Sequence, residues 1–123
     1  MRAVQIARRA TDLARATAFY RDLLGAPPVP SFDPPGLVLF DLDGVRLLLE
    51  PGAPSALHHL LVDDIDATVA RLRAAGVPID SEPHVIFTHR DGSLGPVGTE
   101  EVQAFIRDSE GNLVGLVQHR PLG

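Results

Sequence analysis

Histidine, carboxylate and arginine side chains must carry whatever chemistry this chain performs, because the other usual reactive groups are missing. Its 123 residues include no Cys, and all eleven basic residues are Arg. That excludes a thiolate nucleophile, a disulfide, a cysteine metal site, a Schiff-base lysine and a P-loop lysine. Five histidines remain. His58 and His59 are adjacent, so a regular strand points them to opposite faces and they cannot chelate one ion together. His84, His89, Arg90 and Asp91 gather around a glycine-rich stretch, 88–100, that reads as a long connection before a strand. A His–Asp pair there suits a general base, and a long connection beside a pocket suits a lid or a ligand contact; a solvated loop with self-paired charges is the alternative. Arg9 offers a fork of donors to a carboxylate or phosphate of a ligand, or equally to Glu50 in a salt bridge.

The elements that must position these groups repeat. Residues 4–9 alternate as a strand, with Val4 and Ile6 on one face and Gln5, Ala7 and Arg9 on the other. Thr11-Asp12 supplies capping oxygens for a helix over Leu13 to Leu24, whose apolar stripe is Leu13, Ala16, Phe19/Tyr20 and Leu23. Gly25 stops it, and Pro27, Pro28 and Pro30 hold the next stretch extended or looped. A hairpin follows over Gly36–Leu42 and Val45–Glu50, with Asp43-Gly44 as its turn.

After the linker Pro51-Gly52-Ala53-Pro54 the same grammar restarts. Leu57–Val62 reads as a strand, and Asp63-Asp64 caps a helix with Ile65, Val69, Leu72 and Ala75 on one stripe, ended by Gly76. An extended segment, 77–88, leads to a second hairpin, Val102–Arg107 and Leu113–Gln118. The reading is an α+β fold: two tandem βαβββ modules, about 1–52 and 56–120 of a single domain. Together they are expected to form a cup-shaped, mostly antiparallel sheet around a cavity.

Three stretches carry a family resemblance. They are Thr11-Asp12-Leu13 with Phe19-Tyr20-Arg21-Asp22-Leu23-Leu24-Gly25, then Val62-Asp63-Asp64-Ile65-Asp66-Ala67, then Phe105-Ile106-Arg107-Asp108-Ser109-Glu110-Gly111-Asn112. In order and spacing they resemble the vicinal oxygen chelate superfamily, which includes glyoxalase I, bleomycin- and fosfomycin-resistance proteins, extradiol dioxygenases and methylmalonyl-CoA epimerase. Pro83-His84, His89-Arg90-Asp91-Gly92 and Thr99-Glu100-Glu101 look similar to an uncharacterised subgroup. The resemblance implies the tandem βαβββ fold, and it implies four inward positions from which relatives hold a divalent metal with His, Gln and Glu.

Superposing the two halves places those positions. Laying Asp12-Leu13 on Asp64-Ile65 puts Gln5 on Leu57, and laying Gly44 on Gly111 puts Leu48 on Gly115. Of Gln5, Leu48, Leu57 and Gly115, only Gln5 has a donor, and one neutral amide does not hold Zn²⁺, Mn²⁺ or Fe²⁺ against water. No metal and no other cofactor is therefore expected. The resemblance then implies a metal-independent binder of a small hydrophobic or amphipathic molecule, with Gln5, Arg9, Glu50, Leu57, His59, His84, His89 and Arg90 as ligand-binding candidates. Ala7, Leu48, Leu57, Leu61, Leu113 and Val117 would supply apolar walls.

The alternative is a metal-dependent lyase, isomerase or dioxygenase using a displaced Gln5/Glu50/His59 set, since Glu50 and His59 share the inward parity two residues on. A third reading is a metal-free enzyme with His59, His84 or His89 as base.

Composition narrows the partners. Net charge is −5, with no basic footprint for nucleic acid. Apolar runs such as Leu47-Leu48-Leu49 are strand-length, too short to span a bilayer, and no leader pattern follows Met1. The expected setting is the cytoplasm, with no membrane partner, and the resemblance implies a homodimer.

Overall fold

In the computed structural model, residues 2–29, 31–32 and 36–123 are described; Pro30 of the expected extended or looped stretch lies outside them. The chain runs β1 (Gln5–Arg9), α1 (Leu13–Leu24), β2 (Ser31–Phe32), β3 (Leu37–Leu42), β4 (Val45–Glu50), β5 (His59–Leu61), α2 (Ile65–Ala74), β6 (Ile79–His89), β7 (Thr99–Arg107) and β8 (Leu113–Pro121). This is the α+β pattern of two tandem βαβββ modules, each with its own four-stranded mixed sheet. The residues fall into two compact units. One holds residues up to Ala56 together with Asp108–Asn112, and the other holds Leu57–Arg107 and Leu113–Gly123.

In the first unit the strand order is β1-β4-β3-β2, with β1 parallel to β4 and the other pairs antiparallel. α1 begins where the Asp12 carboxylate accepts the Arg15 N–H at 3.0 Å, satisfying a helix-end donor that has no partner within the helix. It ends at Gly25, whose φ of 71° is the left-handed value that glycine adopts without a side-chain clash. Ala16 and Tyr20 on its apolar stripe are fully buried with Val38, Phe40, Leu47 and Leu49 of the sheet, and Leu13, Phe19 and Leu23 pack around them. Each of those large side chains contributes about 1.5–3 kcal/mol by leaving water. The β3–β4 turn has positive φ at both Asp43 (54°) and Gly44 (92°), as a tight hairpin turn requires.

The loop 108–112 also packs in this unit, around a buried carboxylate. Asp108 accepts the Tyr20 hydroxyl at 2.7 Å and the backbone N–H groups of Glu110 and Asn112 at 2.9 and 2.8 Å. The equally buried Arg8 guanidinium lies 3.9 Å away and donates to the Ala56 carbonyl. Burial together with the negative charge of Asp108 pushes the Tyr20 hydroxyl well above the usual tyrosine range, so it stays protonated and remains a donor. A charge pair in a core is costly unless its hydrogen bonds are made; here Tyr20 and the loop N–H groups serve the Asp108 carboxylate.

In the second unit the order is β5-β8-β7-β6, with β5 parallel to β8. α2 is capped by Asp64, which accepts the Ala67 N–H at 3.1 Å, and Gly76 follows it with φ 84°. Ile65, Val69 and Leu72 are its buried stripe, against a sheet whose buried residues alternate as Val102, Ala104 and Ile106 on β7 and Val114 and Leu116 on β8.

Several boundaries differ from those expected, among them the end of β8, which runs to Pro121 instead of Gln118. β5 is shorter than 57–62: its ladder to β8 begins at the His58 carbonyl, which accepts the Gly115 N–H, so Leu57 lies outside it. The expected long connection 88–100 is mostly strand at its ends, because β6 reaches His89 and β7 starts at Thr99. Only 90–98 connects them, closed by the Gly98 N–H donating to the His89 carbonyl at 2.9 Å. None of the described helices is long and apolar enough to cross a membrane.

Candidate functional site

β-Strand alternation sorts the chemistry-bearing residues of the second unit. The face of its sheet turned from α2 carries His59 and Leu61 on β5, Gly115, Val117 and His119 on β8, Glu101, Gln103 and Phe105 on β7, and Phe87 and His89 on β6. Cross-strand register lines these up in rows. His59 pairs with Gly115, which pairs with Phe105; Leu61 pairs with Val117, which pairs with Gln103; His119 pairs with Glu101, which pairs with Phe87.

At one end of the face, the His59 ring stands edge-on to Phe105 with centroids 5.7 Å apart. It occupies the space a side chain at Gly115 would need: a β-carbon there would lie 2.3 Å from His59 Cδ2.

At the other end, Glu101 is the hub of a polar network. Its Oε1 lies 2.9 Å from His89 Nε2 and 3.4 Å from His119 Nε2, and its Oε2 accepts the Gln103 amide at 2.8 Å. Burial alone would raise the Glu101 pKa. The Gln103 and His89 hydrogen bonds and the neighbouring imidazoles outweigh that and hold it below the usual carboxylate range. His89 is itself buried and tightly placed. Its ring meets Phe87 edge-on at 4.8 Å, and Gly95 of the 90–98 connection lies so close that a β-carbon there would be 2.7 Å from His89 Cε1. Among the described residues, His89, Glu101 and His119 form a group whose potential ligand atoms all lie within 4.8 Å of one another.

The other residues named from the sequence fall as follows. Gln5 and Arg9 are exposed at the two ends of β1, with buried Arg8 on the opposite face, as strand parity requires. β1 pairs with β4 so that Gln5 meets Arg46 and Glu50 meets Arg9. Gln5 and Glu50 are therefore four residues apart along the ladder, roughly 13 Å at about 3.3 Å per residue. That separation is too great for a shared ion, so the displaced Gln5/Glu50/His59 metal set is not assembled. Leu57 and Leu61 are exposed, at 51% and 69%, whereas Val117 is buried.

The expected His–Asp base does not form around the 90–98 connection. The Asp91 carboxylate instead accepts the Ser93 hydroxyl and N–H, bonds that draw its pKa down, and the partner of His89 is Glu101. His84 is exposed, with Nδ1 at 2.9 Å from the Glu82 carbonyl, and Arg90 is exposed in the connection. A separate hollow of about 280 Å³ in the first unit, lined by Leu13, Thr17, Arg21, Phe32 and Val38 among others, contains none of these candidates.

Sequence reading missed Glu101 as a hub and missed His119 altogether. The available signal was the alternation of 99–105 and 113–119: it puts Glu101 and His119 on the same faces of their strands as Phe105 and Gly115.

The metal that relatives hold does not fit the residues at the inherited positions. Leu48, Leu57 and Gly115 have no donor atom, and the His59 ring fills the place where a longer residue at 115 would start.

The family description Glyoxalase/Bleomycin resistance protein/Dioxygenase superfamily matches residues 2–116. No curated protein sequence matches the chain. Among solved structures, a lactoylglutathione lyase from Agrobacterium tumefaciens is similar at 28% identity and TM-score 0.69, over 95% of this chain and 92% of that one. A virulence protein from Salmonella typhimurium is similar in fold, at 21% identity and TM-score 0.71 over 96% of both chains. So is a glyoxalase/bleomycin resistance protein/dioxygenase from Alicyclobacillus acidocaldarius, at 19% identity and TM-score 0.67 over 96% of this chain and 91% of that one. The matched span takes in nearly every element described above, and the chain belongs to the glyoxalase/bleomycin resistance protein/dioxygenase superfamily.

Proposed function

We propose that this protein binds a small hydrophobic or amphipathic molecule without a metal at the superfamily's four ligand positions. The observation that carries the reading is the contact between His59 and Gly115. Where relatives need a coordinating side chain, this chain has none, and an imidazole takes up the space. The surrounding face supports the rest: Phe105 and Leu61 offer apolar area, and His59 and Gln103 offer a few hydrogen-bonding groups. In this reading the protein works in the cytoplasm as a homodimer, the open edges of β2 and β6 providing surfaces on which copies can associate.

The test is binding of 8-anilinonaphthalene-1-sulfonate, an amphipathic aromatic probe, to protein stripped of metal with EDTA. Saturable one-to-one fluorescence enhancement, weakened several-fold in Phe105→Ala, is expected. Probe binding that appears only when metal is added, and is lost in Gln5→Ala, rejects the reading. So does a metal-induced rise in melting temperature that His59→Ala or Glu50→Ala abolishes.

A further inference from the structure

We infer that His89, Glu101 and His119 form a binding site for a divalent first-row transition metal ion, with Zn²⁺ the first choice. The site lies away from the positions from which the superfamily takes its metal ligands. It does not rest on the binding reading above, and it stands even if no organic molecule binds.

Three observations support it. The first is donor chemistry: two imidazoles and one carboxylate, on three adjacent strands, form a donor set suited to Zn²⁺ or Fe²⁺. The second is convergence. Both imidazoles turn Nε2 toward the same oxygen, Glu101 Oε1, at 2.9 and 3.4 Å. With metal–ligand bonds of about 2.0–2.2 Å, neighbouring ligands of one ion stand roughly 3.0–3.4 Å apart, so these separations fit a shared ion. The ligand atoms span at most 4.8 Å, and His119, with a side chain 23% exposed, has room to close the wider gap.

The third observation is the support around the donors. Gln103 holds the free carboxylate oxygen, and Gly95 and Phe87 fix the His89 ring. Such outer contacts orient ligands before a metal arrives. The Gly98 N–H bond to the His89 carbonyl anchors the connection that brings Gly95 there. Three protein ligands leave coordination positions open, so an ion here can accept an oxygen or nitrogen of a bound molecule.

The experiment is titration of the EDTA-stripped full chain with Zn²⁺ by calorimetry and with Co²⁺ by visible absorption, alongside melting curves. Expected are one ion per chain, a Co²⁺ d–d band, and a rise of several degrees in melting temperature. Glu101→Gln and His119→Ala should each weaken affinity at least tenfold, whereas Gln5→Ala and His59→Ala leave it unchanged. His89 is buried, and its removal threatens the fold itself. The test therefore rests on the two more exposed ligands, with circular dichroism showing that both variants are folded. Absence of stoichiometric binding by either ion, or binding undiminished in both variants, overturns the site. Loss of binding in Gln5→Ala instead moves the metal to the inherited positions and rejects the binding reading as well.

Discussion

The imidazole of His59 and the bare α-carbon of Gly115 share one volume: a β-carbon on residue 115 would stand 2.3 Å from His59 Cδ2 and 2.9 Å from both Cγ and Nε2. The two residues are register partners on parallel strands, so neither can be changed without consequence for the other. In the first unit the equivalent pair is Ala7 and Leu48. The duplicated strands thus keep the same register while exchanging which member of the pair is bulky.

Gly115→Ala should destabilise the protein by about 1–3 kcal/mol, the usual cost of forcing extra volume into a filled site. Adding His59→Ala should return most of that loss. Urea unfolding of the wild type, both single variants and the double variant gives the coupling. Simple additivity would show that the ring moves aside freely.

Tyr20→Phe removes one hydrogen bond from the buried Asp108 carboxylate. The expected cost is about 1–3 kcal/mol, since a buried charged acceptor loses a donor and gains no water. Because Asp108 also holds the Glu110 and Asn112 N–H groups, amide exchange in 108–112 should accelerate along with the drop in urea midpoint.

Glu110 links that loop to the start of α1, accepting the Asp12 N–H at 2.9 Å and the Thr11 hydroxyl at 3.0 Å, with Arg15 at 3.3 Å. Partial burial alone would raise its pKa, but these donors and the Arg15 charge outweigh it and hold the carboxyl below the usual glutamate range. A depressed folded-state pKa contributes stability that is present above the unfolded value of about 4.3 and is lost as pH falls through the folded one. Glu110→Ala should therefore cost about 1–2 kcal/mol at pH 7 and much less near pH 3, by urea unfolding at both. An equal cost at the two pH values would assign the effect to packing.

Gly95→Ala should displace the His89 ring, because the new β-carbon would lie 2.7–3.0 Å from three of its atoms. The expected readouts are a changed His89 Hε1 proton resonance and a cost of about 1–3 kcal/mol from overpacking. An unchanged resonance would mean that the 90–98 connection yields instead of the ring.

Much of the fold was legible because it is written in local periodicity. The 3.6-residue stripes of 13–24 and 65–75, their Asp caps, the Asp43-Gly44 turn and the internal repeat all depend on neighbours within a few residues. β5 and the 88–100 stretch were less legible because pairing decides them: Leu57 has a strand-like side chain but lies outside the ladder, and His89 and Thr99 pair despite the glycines between them.

The sequence by itself determined the tandem βαβββ order, the lack of Cys and Lys chemistry, and the absence of donors at Leu48, Leu57 and Gly115, since these follow from residue identity and short-range spacing. Only the tertiary structure decided that Gln5 and Glu50 stand far apart, that His59 fills the space over Gly115, and that Glu101 gathers His89 and His119 around one oxygen. Those relations depend on strand register. Register is a long-range property, set by which backbones pair across the sheet, and no window of sequence encodes it alone.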